Sequence, residues 1–166
     1  HREMLSSRDI DLSGLKEVSG KTFRWEGKYG KDLSSAKTLA TYLNVFETFR
    51  PVLSEAQKKA SVLFLANIDP ELQFEVLSQM KSPAFIACDT MNYWISSKKP
   101  ALKELLSRVN LFFVNEEEAK KLSGETNVFR AATVISNWGP SIVVIKKGEH
   151  GAVMKTLGYT KLAIDP

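Results

Sequence analysis

Four short polar clusters hold the residues best suited to chemistry: Asn67 with Asp69, Asp89 with Asn92, Asn115 with Glu116, Glu117 and Glu118, and Lys146 with Lys147 and Gly148. Carboxylates, amides, lysines and a glycine turn together suit a polyphosphate and its divalent cation. Lysines and free N–H groups would meet the phosphates. Carboxylates would meet Mg2+ through water. Plainer roles exist for each cluster. Asn115 and Asp89 suit helix caps or turns. The three glutamates suit the dipole at a helix start. Lys146 and Lys147 suit an exposed strand end, and Gly148 a hairpin. Against four unrelated plain roles stands one fact: each cluster ends the same kind of apolar run.

Those runs are Val62–Ala66, Ala84–Cys88, Leu111–Val114 and Ile142–Ile145. Each is continuous and apolar, the texture of a strand buried on both faces. Between them lie helical segments. Asp69 can cap a helix that Pro70 begins, with Leu72, Val76, Leu77 and Met80 on one stripe. Pro100 begins another, turning Leu102, Leu105, Leu106 and Val109 inward. An acidic first turn at Glu116–Glu118 starts a third, which Gly124 closes. Asn127 caps a fourth, Val128 to Trp138, terminated by Gly139-Pro140. Strand and helix alternating at short spacing predict a mostly parallel sheet with right-handed crossovers. In such a sheet all strand ends point one way, so the four clusters share an edge. Ligands of open α/β sheets bind beyond that edge. Past it, Glu149-His150-Gly151 turns the chain and Ala152-Val153-Met154 returns it.

The first fifty residues have another texture. Residues 1–20 read as a connecting segment, in which Ile10, Leu12 and Leu15 could cover an edge. Residues 20–50 read as two strands. Thr22 to Tyr29 alternates, with Phe23, Trp25 and Tyr29 on one face. Gly30 to Ser35 is loop chemistry. Thr38 to Phe49 is a second extended segment. Together they predict a small antiparallel flap. Its aromatic face suits either the core or a lid over a sugar or base, and the residues alone favour the core. Residues 51–166 form the parallel α/β part.

The chain has 166 residues, 43% hydrophobic and 25% charged, as expected of a globular domain with a real core. Its net charge of +4 and pI near 9.1 come from scattered lysines. No basic stripe with interleaved aromatics points to nucleic acid. The single cysteine, Cys88, can form no disulfide within the chain and no thiolate metal site. A reducing, cytoplasmic setting is the default expectation. No apolar run has the length of a membrane span, and the start lacks an apolar signal region. Beginning at His1 and ending at Asp165-Pro166, the chain reads as a piece of a longer protein.

Asn115-Glu116-Glu117-Glu118 resembles the Asn-x-x-Glu motif of the ribokinase-like, phosphofructokinase-B type sugar kinases. Asp89-Thr90-Met91-Asn92 with Trp94 resembles their Asp-x-x-Asn element. Gly139-Pro140, the run Ile142–Ile145 and the turn Lys146 to Gly151 resemble their nucleotide-side strand and turn. Residues 22–25 and 38–49 are similar to their lid strands. The resemblance implies a three-layer α/β sandwich and an ATP-dependent kinase acting on a sugar or nucleoside-like hydroxyl. It implies Asn115 near the ATP phosphates, Glu118 in the Mg2+ environment through water, and Lys146, Lys147, Gly148, Glu149 and Gly151 bordering the nucleotide. Phe23 and Trp25 would belong to the lid, with Asp89 and Asn92 on the acceptor side. The lid strands would suit pairing between subunits. Two features depart from the pattern. No Gly-Ala-Gly-Asp motif occurs, so the expected aspartate base lies beyond Pro166, and the glycine-rich first strand is absent before His1. Fewer residues than the family's usual number lie between Gly151 and Asp165. The 166 residues alone are expected to be inactive. The alternative is a non-catalytic nucleotide- or metabolite-binding domain on the same scaffold.

Overall fold

A computed structural model describes residues 2–30 and 36–163. The loop expected at Gly30 to Ser35 lies, apart from Gly30, outside the described residues, as does Asp165-Pro166. The chain divides into two compact units, residues 1–57 and 58–166.

The first unit opens with a short helix, α1 (Arg2–Ser6), none of whose residues is buried. The expected connecting segment therefore carries one brief helix. Two strands follow, β1 (Arg24–Tyr29) and β2 (Ala36–Tyr42), paired antiparallel. The register slips between Glu26 and Gly27, where Leu39 has no partner on β1. A bulge of this kind twists a ribbon locally. The indole of Trp25 lies over Gly27, where any Cβ would collide with it, and meets Tyr29 edge-on at 6.5 Å. Its Nε1–H donates to Thr38 Oγ1 at 3.1 Å.

Two expectations for this ribbon are corrected. The second strand does not run to Phe49. It stops at Tyr42, and Asn44–Phe46 form a 3-10 turn. Asn44 has φ 51°, a left-handed conformation that asparagine tolerates and a strand does not. Its side chain donates to Thr22 O at 2.8 Å. Phe23 precedes β1 rather than lying in it. It stacks on Phe46 at 5.5 Å, apart from the Trp25–Tyr29 pair.

The second unit holds a six-stranded sheet in chain order: β3 (Val62–Leu65), β4 (Phe85–Asp89), β5 (Leu111–Asn115), β6 (Ile142–Lys146), β7 (Ala152–Thr156) and β8 (Thr160–Ala163). The first four are mutually parallel, and β7 and β8 return antiparallel. Five helices connect them: α2 (Pro70–Gln79), α3 (Asn92–Ser97), α4 (Lys99–Leu106), α5 (Glu116–Ser123) and α6 (Val128–Ser136). Only α3 lacks a counterpart in the sequence reading. After Gly151, β7 and β8 pair as a hairpin.

Capping residues set the helix starts. Asp69 accepts from Glu71 N, and Asn127 accepts from Phe129 N and Arg130 N. One core joins Ile86, Cys88, Phe112, Val114, Val143, Ile145 and Val153 of the sheet to residues from α2 through α6. Helices α2 to α6 thus line one face of the sheet. On the other face Val62 and Phe64 are 64% and 54% exposed, and Phe113 and Val144 are half-buried. At the far end of the sheet, Asn110 ties three strand starts together. It exchanges hydrogen bonds with Ile86, and its carbonyl accepts from Ile142 N. No helix among the described residues is long and apolar enough to cross a membrane.

Candidate active site

Parallel pairing brings the carboxyl ends of β4, β5 and β6 side by side. Asp89 is in register with Phe113, Phe113 with Val144, and Asn115 with Lys146. Side chains alternate between sheet faces, so Asp89, Asn115 and Lys146 occupy the same face at the same edge.

Asn115 ends β5 and caps α5. Its Oδ1 accepts from Glu118 N at 2.8 Å, and Glu118 Oε2 accepts from Asn115 N at 3.0 Å. This reciprocal capping box satisfies two otherwise orphaned donors. It also fixes the Glu118 carboxylate, 8% exposed, at the strand edge. Burial raises the Glu118 pKa above its ordinary value. The N–H of Asn115, the charge of Lys146 and the N–H of Asn92 oppose that rise, and the charge of Asp89 adds to it. Asp89 behaves similarly: burial raises its pKa, opposed by Lys146, by the Asn67 N–H and by its own N–H. Its Oδ1 is buried with no hydrogen-bond partner among the described residues. Two raised carboxylates therefore share one exposed lysine. The plain role holds for Asn115 as a cap. Asp89 does not cap α3, which follows Met91 with no side-chain cap.

The β6–β7 turn flanks this cluster. Gly148 and Gly151 take φ 58° and 75°, both in the left-handed range. Lys147 lies 3.8 Å from Glu116 Oε2. Glu116 is held below its ordinary pKa first by the hydrogen bond from Lys120, with Lys147 and His150 adding to it. Glu149 is exposed beside His150. The Asn92 N–H favours the charged form of Glu118. Of the residues singled out from sequence, the second unit thus gathers Asp89, Asn92, Asn115, Glu118, Lys146, Lys147, Gly148 and Gly151 at one edge. Phe23 and Trp25 belong to the first unit.

The donor set fits Mg2+ in one particular way. No group of three or more His, Cys, Asp or Glu among the described residues could hold a metal by itself. Glu118 already accepts the Asn115 N–H. Mg2+ keeps several waters and takes phosphate oxygens. Carboxylates that bind its water shell suit it here, and a closed protein cage does not.

Sequence reading missed two neighbours of the site. Lys98, between α3 and α4, binds Asp69 Oδ2 and Glu71 Oε2, each at 2.7 Å. Gln73 is buried inside α2. A signal for Gln73 was present: it lies on the inward stripe, four residues before Leu77 and seven before Met80.

A similar curated relative is the cytidine kinase of Thermococcus kodakarensis, 28% identical over 148 residues, covering 87% of this chain and 52% of the relative. The chain therefore spans about half the length of the curated relative it matches. Among solved structures, adenosine kinase from Sinorhizobium meliloti matches with TM-score 0.75 at 12% identity, over 99% of this chain and 54% of that one. A fructokinase from Vibrio cholerae, bound to fructose, ADP and calcium, matches with TM-score 0.68 at 16% identity, over 98% of this chain and 57% of that one. These structures show the ribokinase-like fold. The model of the pfkB family carbohydrate kinases matches residues 1–166, and the chain belongs to that family.

Proposed function

We propose that this chain is the nucleotide-binding part of a kinase that transfers the γ-phosphoryl group of ATP to a hydroxyl of a sugar or nucleoside-like acceptor. The observation that carries this reading is the shared edge at Asp89, Asn115, Glu118 and Lys146, where register and electrostatics converge. Phosphoryl transfer asks for positioning and charge neutralisation more than for covalent chemistry by the protein. Asn115 and the turn from Lys146 to Gly151 would border the phosphates. Glu118 would hold the Mg2+ water shell, and Mg2+ would neutralise charge developing on the transferred group. Asp89 and Asn92 would face the acceptor, and Phe23 and Trp25 would belong to its lid. Cytidine, adenosine and fructose are the first acceptors to try, after the names of the relatives. In this reading the 166-residue chain alone does not turn over, because the resemblance places the base in a Gly-Ala-Gly-Asp motif that these residues do not contain.

The test is calorimetric ATP binding by the full-length protein, with and without Mg2+, alongside turnover of the three acceptors. Asn115→Ala and Glu118→Gln are each expected to weaken Mg2+-dependent ATP binding or turnover by about tenfold or more. Wild-type values in both variants would refute the assignment. ATP binding without turnover of any acceptor would favour the non-catalytic binder.

A further inference from the structure

Gln73 is 1% exposed on α2, a helix whose other inward residues are apolar. Its amide Nε2 lies 2.9 Å from Leu65 O, 3.1 Å from Ala66 O and 3.2 Å from Asp89 O. These carbonyls stand at the carboxyl ends of β3 and β4. The ladder between the two strands ends at the Leu65–Cys88 pair. The Gln73 amide takes over one step beyond, where no further backbone pair forms.

One of the three contacts reaches farther than the others. The peptide group joining Ala66 to Asn67 has its carbonyl on Gln73, and its N–H favours the charged form of the Asp89 carboxylate. Gln73 therefore grips the Asp89 main chain directly and also holds the peptide plane whose N–H lowers the Asp89 pKa. The arrangement leaves Gln73 Oε1 buried with no partner among the described residues. Turning the amide over would set that oxygen against three carbonyl oxygens, so electrostatics allow only the present orientation. A leucine here would continue the apolar stripe but take this donor from the carbonyls of Ala66 and Asp89. The buried amide thus serves the carbonyls at the two strand ends at the cost of its own unpartnered oxygen.

We propose that Gln73 is a positioning residue, which holds Asp89 in its acceptor-facing geometry by tying the ends of β3 and β4 and the Ala66–Asn67 peptide to one buried amide. The acceptor-facing part rests on the kinase reading above; the tie itself does not.

Two measurements on the full-length protein separate these parts. Gln73→Met keeps the length of the side chain and removes its donors. Gln73→Asn keeps the donors and withdraws them by one methylene, as a milder variant if the first folds poorly. In amide hydrogen exchange, either variant is expected to speed exchange at Asn67 by about tenfold while Val143, in the centre of β6, keeps its rate. Unchanged exchange at Asn67, or acceleration spread equally to Val143, overturns the proposal. In kinetics with whichever of cytidine, adenosine or fructose is turned over, Gln73→Met is expected to raise acceptor KM about tenfold and leave ATP KM alone. That effect should disappear in an Asp89→Ala background, because the two residues act as a unit. Additive effects overturn the positioning role. If Asp89→Ala alone leaves acceptor KM unchanged, the acceptor assignment of Asp89 falls, and the positioning claim with it. Released Asn67 exchange would then show that the tie exists and that the kinase reading was at fault.

Discussion

Glu118 is a residue whose fold and proposed function pull in opposite directions. Its buried carboxyl has a raised pKa, so the folded state binds this proton more tightly than the unfolded chain does. Stability is therefore lost as pH rises from the ordinary value of 4.5 through the raised folded value. Glu118→Gln removes the ionisation, and its side-chain oxygen can still accept from Asn115 N. Thermal unfolding at pH 7 should place the variant above the wild type. The gap should close as pH falls below the ordinary carboxylate value. A lower midpoint at pH 7 would show that the buried charge is compensated by something other than the groups named here. Loss of turnover together with gained stability is the pattern expected of a residue kept for chemistry.

At the scale of elements, short local devices hold the site. The capping box joins the end of β5 to the start of α5, so Asn115→Ala should destabilise the fold by about 1 kcal/mol, read from the denaturant midpoint. A stability equal to wild type would mean that water replaces the cap. Gly139 acts far from the edge but no less strictly. It has φ 145°, and a Cβ there would stand 2.5 Å from both the Leu106 carbonyl oxygen and Ser107 Cα. Backbone cannot yield as a flexible side chain can. Gly139→Ala should therefore destabilise by about 1–3 kcal/mol, from forced displacement of α6 against the end of α4. An unaltered unfolding midpoint would show that this contact gives way freely.

For the second unit as a whole, the uneven treatment of the two sheet faces is the main physical fact. Helices α2 to α6 share a core with one face, while Val62 and Phe64 on the other are mostly exposed. Apolar area of this kind drives association or dye binding in solution. The 166-residue chain by itself should bind a hydrophobic dye strongly, and Phe64→Ser should reduce the signal. Equal dye binding by the variant would place the sticky surface elsewhere. The same sheet edge that gathers Asp89, Asn115 and Lys146 belongs to this half-covered face, so burial and charge at the site are coupled to how that face is covered.

Strands β3 to β6 were legible as continuous apolar runs, and the caps at Asp69, Asn115 and Asn127 as local grammar, because period and capping depend on residues a few positions apart. Parallel order followed from the alternation with helices, and with it the convergence of the polar tips. The end of β2 was not legible, since Asn44 turns left-handed in answer to Thr22, twenty-two residues earlier. Nor was the sharing of Lys146 between Asp89 and Glu118, or the grip of one glutamine on two strand ends. Those depend on register and on which side chains meet across the sheet edge. Only packing in three dimensions sets such distances, and electrostatic and hydrogen-bond energies change steeply with them.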